Sequence, residues 1–247
     1  TPCAILILTN RPNAQAAKVF EAMGCGALDA IATPGQEDRS LREAGGPLLK
    51  KVATIAKLLG QGTLSTRPNP RGGIANEPLP PLIAIGASTG GPKALAAILS
   101  AFPADFQAAV VVCQHVDLQF AQGLTEWLNV HTPLETRLLQ DGMRPRPGIV
   151  HVAGTNDHLV LGEDLAYHYT PHPREYPYRP SVNALFASLC KFWPRKDIAI
   201  LLTGMGRDGG EGLAALRKAG WYTIAQDERT SVVYGMPAAA AELGGAA

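Results

Sequence analysis

Ser88, His115 and Asp208 each follow the end of a run of apolar residues, and together they have the chemistry of acyl transfer. Ser88 ends the run Ile83-Ala-Ile-Gly-Ala87 and leads into Thr89-Gly-Gly-Pro-Lys93. Glycines let the chain bend sharply and let a substrate come close. Pro92 suits the first turn of a helix, where a missing N–H breaks no bond. The pattern predicts a strand, a tight turn and a helix, with a serine hydroxyl at the turn where a nucleophile is best presented. Free N–H groups at the helix start would suit an oxyanion or another anion. A phosphate loop is a poor match: Gly91-Pro92-Lys93 replaces Gly-Lys-Ser/Thr, and this turn has no G-x-G-x-x-G.

The other two residues end similar runs. Ala108-Ala-Val-Val-Val-Cys113 precedes Gln114, His115, Val116 and Asp117, and Asp197-Ile-Ala-Ile-Leu-Leu-Thr203 precedes Gly204-Met-Gly-Arg-Asp-Gly-Gly210. Such runs read as strands buried on both faces, as in a parallel sheet. In open α/β sheets the ligand crevice lies at the carboxyl ends of the strands. The sequence therefore predicts a doubly wound α/β fold, with a mainly parallel sheet, helices on both faces (Rossmann-like) and an antiparallel hairpin at the edge. That fold would bring Ser88, His115 and Asp208 to one rim. There Ser88 Oγ would attack a carbonyl, His115 would take its proton and later return one to the leaving group, and Asp208 would hold the imidazole in one tautomer. The order Ser, His, Asp differs from the Ser, Asp/Glu, His of α/β-hydrolases, but a triad is defined by geometry rather than order. Asp117 is a second candidate acid; a carboxylate only two residues past His115 is expected to point elsewhere on its turn.

Gly86-Ala-Ser-Thr-Gly-Gly-Pro92, Gln114-His115, Arg179-Pro-Ser-Val182, Leu202-Thr-Gly-Met-Gly-Arg-Asp-Gly209 and Gln226-Asp-Glu with Tyr234-Gly-Met-Pro237 together resemble the chemotaxis protein-glutamate methylesterases, the CheB family, over residues 81–240. The resemblance implies Ser88 as nucleophile, His115 as base and Asp208 as the orienting acid. It also implies Thr89 and Gly90 beside the nucleophile, the backbone at Met205 near the oxyanion, and Arg179 and Ser181 near the substrate. On the residues alone, Ser181 is a natural N-cap for a helix over 182–192. The implied reaction is hydrolysis of glutamyl methyl esters on the cytoplasmic helices of chemoreceptors, with release of methanol; some members also deamidate receptor glutamines. Asn183 stands where Asp is usual in that family and Arg207 where Asn is common, which bears on substrate preference rather than on the triad.

Upstream, residues 2–9 read as a strand, 14–23 as a helix and 26–31 as a short strand ending at Thr33-Pro34. A long helix is predicted over 41–59, weakened by Gly45-Gly46-Pro47. This piece, residues 1–60, resembles the C-terminal part of a phosphoacceptor receiver domain, with Thr9 at the switch threonine and Thr33 where lysine usually precedes the proline. The phosphoacceptor aspartate would lie upstream, so phosphate uptake is not expected and activity is expected to be constitutive. A half-sheet of this kind is expected to be mobile or unfolded. Residues 61–80, rich in Gly, Pro, Asn, Ser and Thr, read as a linker, and 81–247 as the methylesterase catalytic domain.

The 247 residues carry 22 Lys+Arg and 21 Asp+Glu, a formal net charge of +1. That balance offers no basic field for nucleic acid, and no apolar run approaches a membrane span. A monomeric enzyme that is not membrane-embedded and needs no metal or organic cofactor is expected. Cys3, Cys25, Cys113 and Cys190 lack C-x-x-C spacing and read as reduced thiols, which fits the cytoplasm. A methyl ester offers little to grip, so affinity would come from the surrounding surface of the methylated receptor helices.

The remaining candidates have ordinary structural readings. His151 and His158 flank Gly154-Thr-Asn-Asp157, which reads as the turn of an edge hairpin over 149–153 and 158–161 rather than a zinc site. Residues 163–180, with His168, His172, four tyrosines and four prolines, read as a long irregular loop that shapes a binding surface. Glu211 suits the positive start of a helix. Asp227, Glu228 and Ser231 would stand in a cleft wall. Two readings of other classes are a nucleotide or phosphate binder at 86–92, which leaves His115 without a role, and a docking module without activity.

Overall fold

The apolar runs at 82–87, 109–114 and 198–201 become strands with hydrogen-bonded neighbours on both sides. The run expected as a buried strand over 2–9 pairs, among the described residues, only with 29–32 and leaves Leu8 50% exposed. The computed structural model describes residues 5–9, 11, 12, 14–33 and 79–246. After β1 (Leu6–Thr9), α1 (Ala16–Gly24) and β2 (Asp29–Ala32), the chain forms β3 (Leu82–Ala87), α2 (Gly91–Leu99), β4 (Ala109–Gln114), α3 (Leu118–His131), β5 (Glu135–Leu138) and β6 (Ile149–Val152). Then come β7 (His158–Leu161), β8 (Tyr167–Thr170), α4 (Val182–Phe192), β9 (Ile198–Leu201), α5 (Gly210–Lys218), β10 (Tyr222–Ala225) and α6 (Met236–Glu242).

Six strands make one sheet in the order β10-β9-β3-β4-β6-β5, and every neighbouring pair is parallel. Side chains alternate between its two faces, and each face has its own core. On one, Ile83, Ile85, Val110 and Val112 pack with Leu95, Leu99, Phe120 and Leu124 from α2 and α3. On the other, Leu82, Ala84, Val111 and Cys113 pack with Leu185, Phe186, Leu213 and Leu216 from α4 and α5. The doubly wound α/β expectation therefore holds. From β3 the chain winds outward one way through β4, then returns to place β9 on the other side of β3, so the order reverses beside β3.

An antiparallel hairpin is present, but its strands are β7 and β8. The hairpin expected over 149–153 and 158–161 is not formed, because β6 lies inside the parallel sheet between β4 and β5. Alternation in a short strand does not name its partner. The expected irregular loop over 163–180 likewise contains β8.

The N-terminal piece is not loose where it is described. β1 and β2 pair in parallel, and α1 buries Val19, Phe20 and Met23 in the core that α2 and α3 share. The close fit shows at Gly123, where a Cβ would stand 2.6 Å from Ala16 Cβ. The apolar stripe of α1 has found a partner outside its own half-sheet. The helix expected over 41–59 and most of the linker lie outside the described residues.

Candidate active site

Ser88, His115 and Asp208 follow β3, β4 and β9, three adjacent strands, at the carboxyl end where the strand order reverses. Ligands bind at such reversals because the flanking connections diverge and leave a crevice. The ladder continues past the strand ends: His115 N–H donates to the Ala87 carbonyl at 3.0 Å, Ser88 N–H to Thr203 at 3.0 Å and Leu202 N–H to Gly86 at 2.8 Å. Gln114, fully buried, donates through Nε2 to the carbonyls of Ser88 (2.8 Å) and His115 (3.2 Å), tying the two turns together. Gly90 takes φ 79° to start α2, a backbone that favours glycine. Gly91 has no room for a side chain, because a Cβ would lie 2.1 Å from Gln114 Oε1.

The three side chains are sequestered, with Ser88 5%, His115 7% and Asp208 8% exposed. His115 Nε2 lies 2.7 Å from Asp208 Oδ2. An ionised carboxylate only accepts, so Nε2 carries the proton and Nδ1 is left with a lone pair. Nδ1 is buried and has no hydrogen-bond partner among the described residues. The Asp208 carboxylate also accepts from Ser181 Oγ (2.7 Å) and from the N–H groups of Val182 (2.6 Å) and Asn183 (3.1 Å). Those two N–H groups open α4, so the carboxylate sits at the positive end of a helix. Burial pushes Asp208 up, but the bonds from His115, its charge, and the bonds from Ser181 and Asn183 outweigh it and hold the carboxyl below its usual value.

The companions implied by resemblance are distributed around this centre. Ser181 is the N-cap of α4, accepting from Ala184 N–H, and its hydroxyl donates to Asp208, so cap and site readings both hold for one residue. Thr89 is buried, but its hydroxyl donates to the Leu28 carbonyl at 3.0 Å, which docks the N-terminal piece beside Ser88. The N–H groups of Thr89 and Met205 make no hydrogen bond among the described residues. Arg179 is exposed and makes no hydrogen bond or ion pair among the described residues. Asp117 caps α3 by accepting from Gln119 N–H, as its place in the turn suggested, and takes no part in the His115 contact. Asn183 Oδ1 accepts from Gly212 N–H at 2.9 Å, joining the starts of α4 and α5.

Gly204-Met-Gly-Arg-Asp-Gly209 does have G-x-G-x-x-G spacing, between β9 and α5. Its glycines make room for protein rather than for a dinucleotide. A Cβ on Gly204 would meet Met236 Sδ at 2.2 Å and Ser88 Cβ at 2.7 Å, and one on Gly209 would meet Leu201 Cδ1 at 2.5 Å. The same spacing carries Asp208, whose carboxylate repels a phosphate. His151 on β6 and His158 on β7 belong to different sheets, and among the described residues no cluster of His, Cys, Asp and Glu could hold a metal. His168 stands between Asp141 and Asp164 on the outer hairpin.

Two residues of the site were not legible beforehand. Tyr178 lies face to face with His115, ring centroids 4.0 Å apart and planes 13° apart. His158 accepts the Ser181 N–H at 3.2 Å. The only sequence signal was their proximity to motif residues: Tyr178 precedes Arg179, and His158 ends a turn. Burial, followed by the charges of Asp29 and Asp208, raises Tyr178 well above a free phenol.

A parallel α/β sheet with a buried serine, histidine and aspartate at its switch point defines the class of protein: an α/β fold built for hydrolytic chemistry. The family model for the CheB methylesterase matches residues 83–247. The chain is 51% identical over 247 residues to protein-glutamate methylesterase/protein-glutamine glutaminase 2 of Cupriavidus metallidurans, covering 100% of this chain and 72% of that one. It is 50% identical over 249 residues to the protein-glutamate methylesterase/protein-glutamine glutaminase of Mesorhizobium japonicum, covering 100% of this chain and 73% of that one. The crystal structure of the Thermotoga maritima CheB methylesterase catalytic domain superposes with a TM-score of 0.64 at 33% identity, over 67% of this chain and 89% of the other. This chain belongs to the CheB methylesterase family. Among the described residues no helix is long and apolar enough to cross a membrane.

Proposed function

We propose that this chain hydrolyses the γ-methyl esters of glutamyl residues in chemoreceptor proteins, with residues 81–247 as the hydrolase unit, 61–80 as a linker and 1–60 as a receiver-like piece. The observation that carries the reading is the orientation of His115. Its Nε2–H is spent on a buried carboxylate, and its free Nδ1 stands one strand away from the end of β3, where Ser88 turns into α2. Nδ1 takes the Ser88 Oγ proton as Oγ attacks the ester carbonyl, and Asp208 steadies the imidazolium that forms. The oxyanion develops near the unpartnered N–H groups of Thr89 and Met205, which supply fixed donors without reorganisation. Collapse of the tetrahedral intermediate passes the proton from Nδ1 to the departing methoxide, giving methanol and an acyl-serine. Water then attacks with the same base and releases the glutamate. A glutamine side chain follows the same course with ammonia as leaving group, in keeping with the double names of the relatives. The methylated helices of a receptor supply the surface that binds.

The test is methanol release from membranes carrying methylated chemoreceptors. Ser88→Ala and Asp208→Asn should each lower the rate by about 10³-fold or more while the fold persists. Release that survives in Ser88→Ala would end this assignment.

A further inference from the structure

One imidazole fastens both ends of the segment from Pro173 to Ser181. His158 Nε2–H donates to the Pro173 carbonyl at 2.8 Å, and Nδ1 accepts the Ser181 N–H at 3.2 Å. Opposite roles for the two nitrogens require the neutral Nε2–H tautomer. Burial favours that form by holding His158 below its ordinary value. Tyr176 meets the same ring edge-on, with centroids 5.7 Å apart and planes at 89°. The segment is thus a strap with both ends tied, and Tyr178 projects from it onto the face of His115.

Among the described residues the His115 side chain has one hydrogen bond, to Asp208, and a ring held by one bond can rock about it. A flat aromatic ring against its face removes that freedom and keeps water off. It also presents a negative π face to the imidazolium formed when the base takes a proton. No step of the hydrolysis requires the phenol itself. We propose that Tyr178 is a positioning residue, which holds the His115 ring on Asp208 with Nδ1 aimed away from it. The inference rests on the triad reading and adds to it a residue that none of the triad roles includes.

Tyr178→Phe keeps the ring and Tyr178→Leu removes it. In the native chain the His115 ring protons should resonate upfield through the ring current of Tyr178. The shift should persist in Tyr178→Phe and vanish in Tyr178→Leu. The rate of Ser88 sulfonylation by phenylmethanesulfonyl fluoride, followed by peptide mass, needs the base but not the receptor. It should fall about tenfold in Tyr178→Leu and stay within about twofold of native in Tyr178→Phe, the size of a desolvated ring-on-cation contact. For methanol release the loss should appear in kcat with KM unchanged.

Unshifted His115 protons in the native chain overturn the proposal, even if Tyr178→Leu does not fold. So does native-rate sulfonylation of Tyr178→Leu, an equal loss in Tyr178→Phe, or a loss confined to KM, which would mark a substrate contact. A native chain in which Ser88 is not sulfonylated would remove the triad reading and the positioning role with it. Native labelling with an insensitive Tyr178→Leu removes the positioning role alone.

Discussion

Asp208 shows how much one buried carboxylate can organise. Its two oxygens accept from His115, Ser181, Val182 and Asn183, so the group that holds the His115 imidazole also satisfies two N–H groups at the start of α4. A buried charge is stable only when paired and hydrogen-bonded in this way, and the net result is a carboxyl that stays ionised. His151 is the opposite case. It is 2% exposed, and burial, outweighing a hydrogen bond with the Val110 backbone, lowers it to about 4, against 6.5 for a free imidazole. Between those values the unfolded chain takes up a proton that the folded chain refuses. Stability from this group is therefore complete above pH 6.5 and declines as pH falls toward 4. The loss should reach about 2 kcal/mol by pH 5. Unfolding free energies from urea melts at pH 7 and pH 5 should differ less in His151→Leu by that amount, and equal pH slopes in the two chains would contradict it.

Close approach between elements sets the site's precision. β3 can lie under α4 because Gly86 has no side chain: a Cβ there would stand 2.3 Å from Val182 Cγ1 and 3.0 Å from Leu201 Cδ1. Val182 also gives its N–H to Asp208, so pushing it away loosens the triad as well as the core. Gly86→Ala should cost about 1–3 kcal/mol, the usual price of overpacking a filled core, and should lower kcat as well. Urea melts and methanol release measure the two effects separately; a variant with native stability would mean that α4 can move aside. The loop after β9 is built on the same rule. Gly235 N–H and Met236 N–H both donate to the Gly204 carbonyl, clamping the start of α6 beside Ser88.

At the scale of the molecule, α1 packs on α2 and α3, the helices that cover one face of the sheet. Phe20 is fully buried, with its ring 5.9 Å from that of Trp127 on α3. Thr89 beside Ser88 is bonded to Leu28 just before β2, so the N-terminal piece reaches the rim of the site. If the pieces share a core, Phe20→Ala should destabilise the whole chain by about 3–5 kcal/mol. Denaturation followed by tryptophan fluorescence and by circular dichroism should then give one coincident transition. Separate transitions would make the N-terminal piece an independent unit.

The amino-acid sequence by itself determined the strands at 82–87, 109–114 and 198–201, the parallel architecture they imply, and the rim on which Ser88, His115 and Asp208 stand. It could do so because a strand buried on both faces must be continuously apolar, and because the turn after it must carry glycine where φ is positive or space is absent. Ser181 was legible as a cap because an N-cap is a local event. Only the tertiary structure decided which ring nitrogen of His115 faces Asp208, that Tyr178 stacks on that ring, that β8 rather than β6 pairs with β7, and that α1 joins the core of α2 and α3. Three of these depend on residues far apart in the chain, and the local β7–β8 pairing follows from β6 being taken up by the parallel sheet. Local pattern shows which surface of an element is apolar, but packing chooses what covers it.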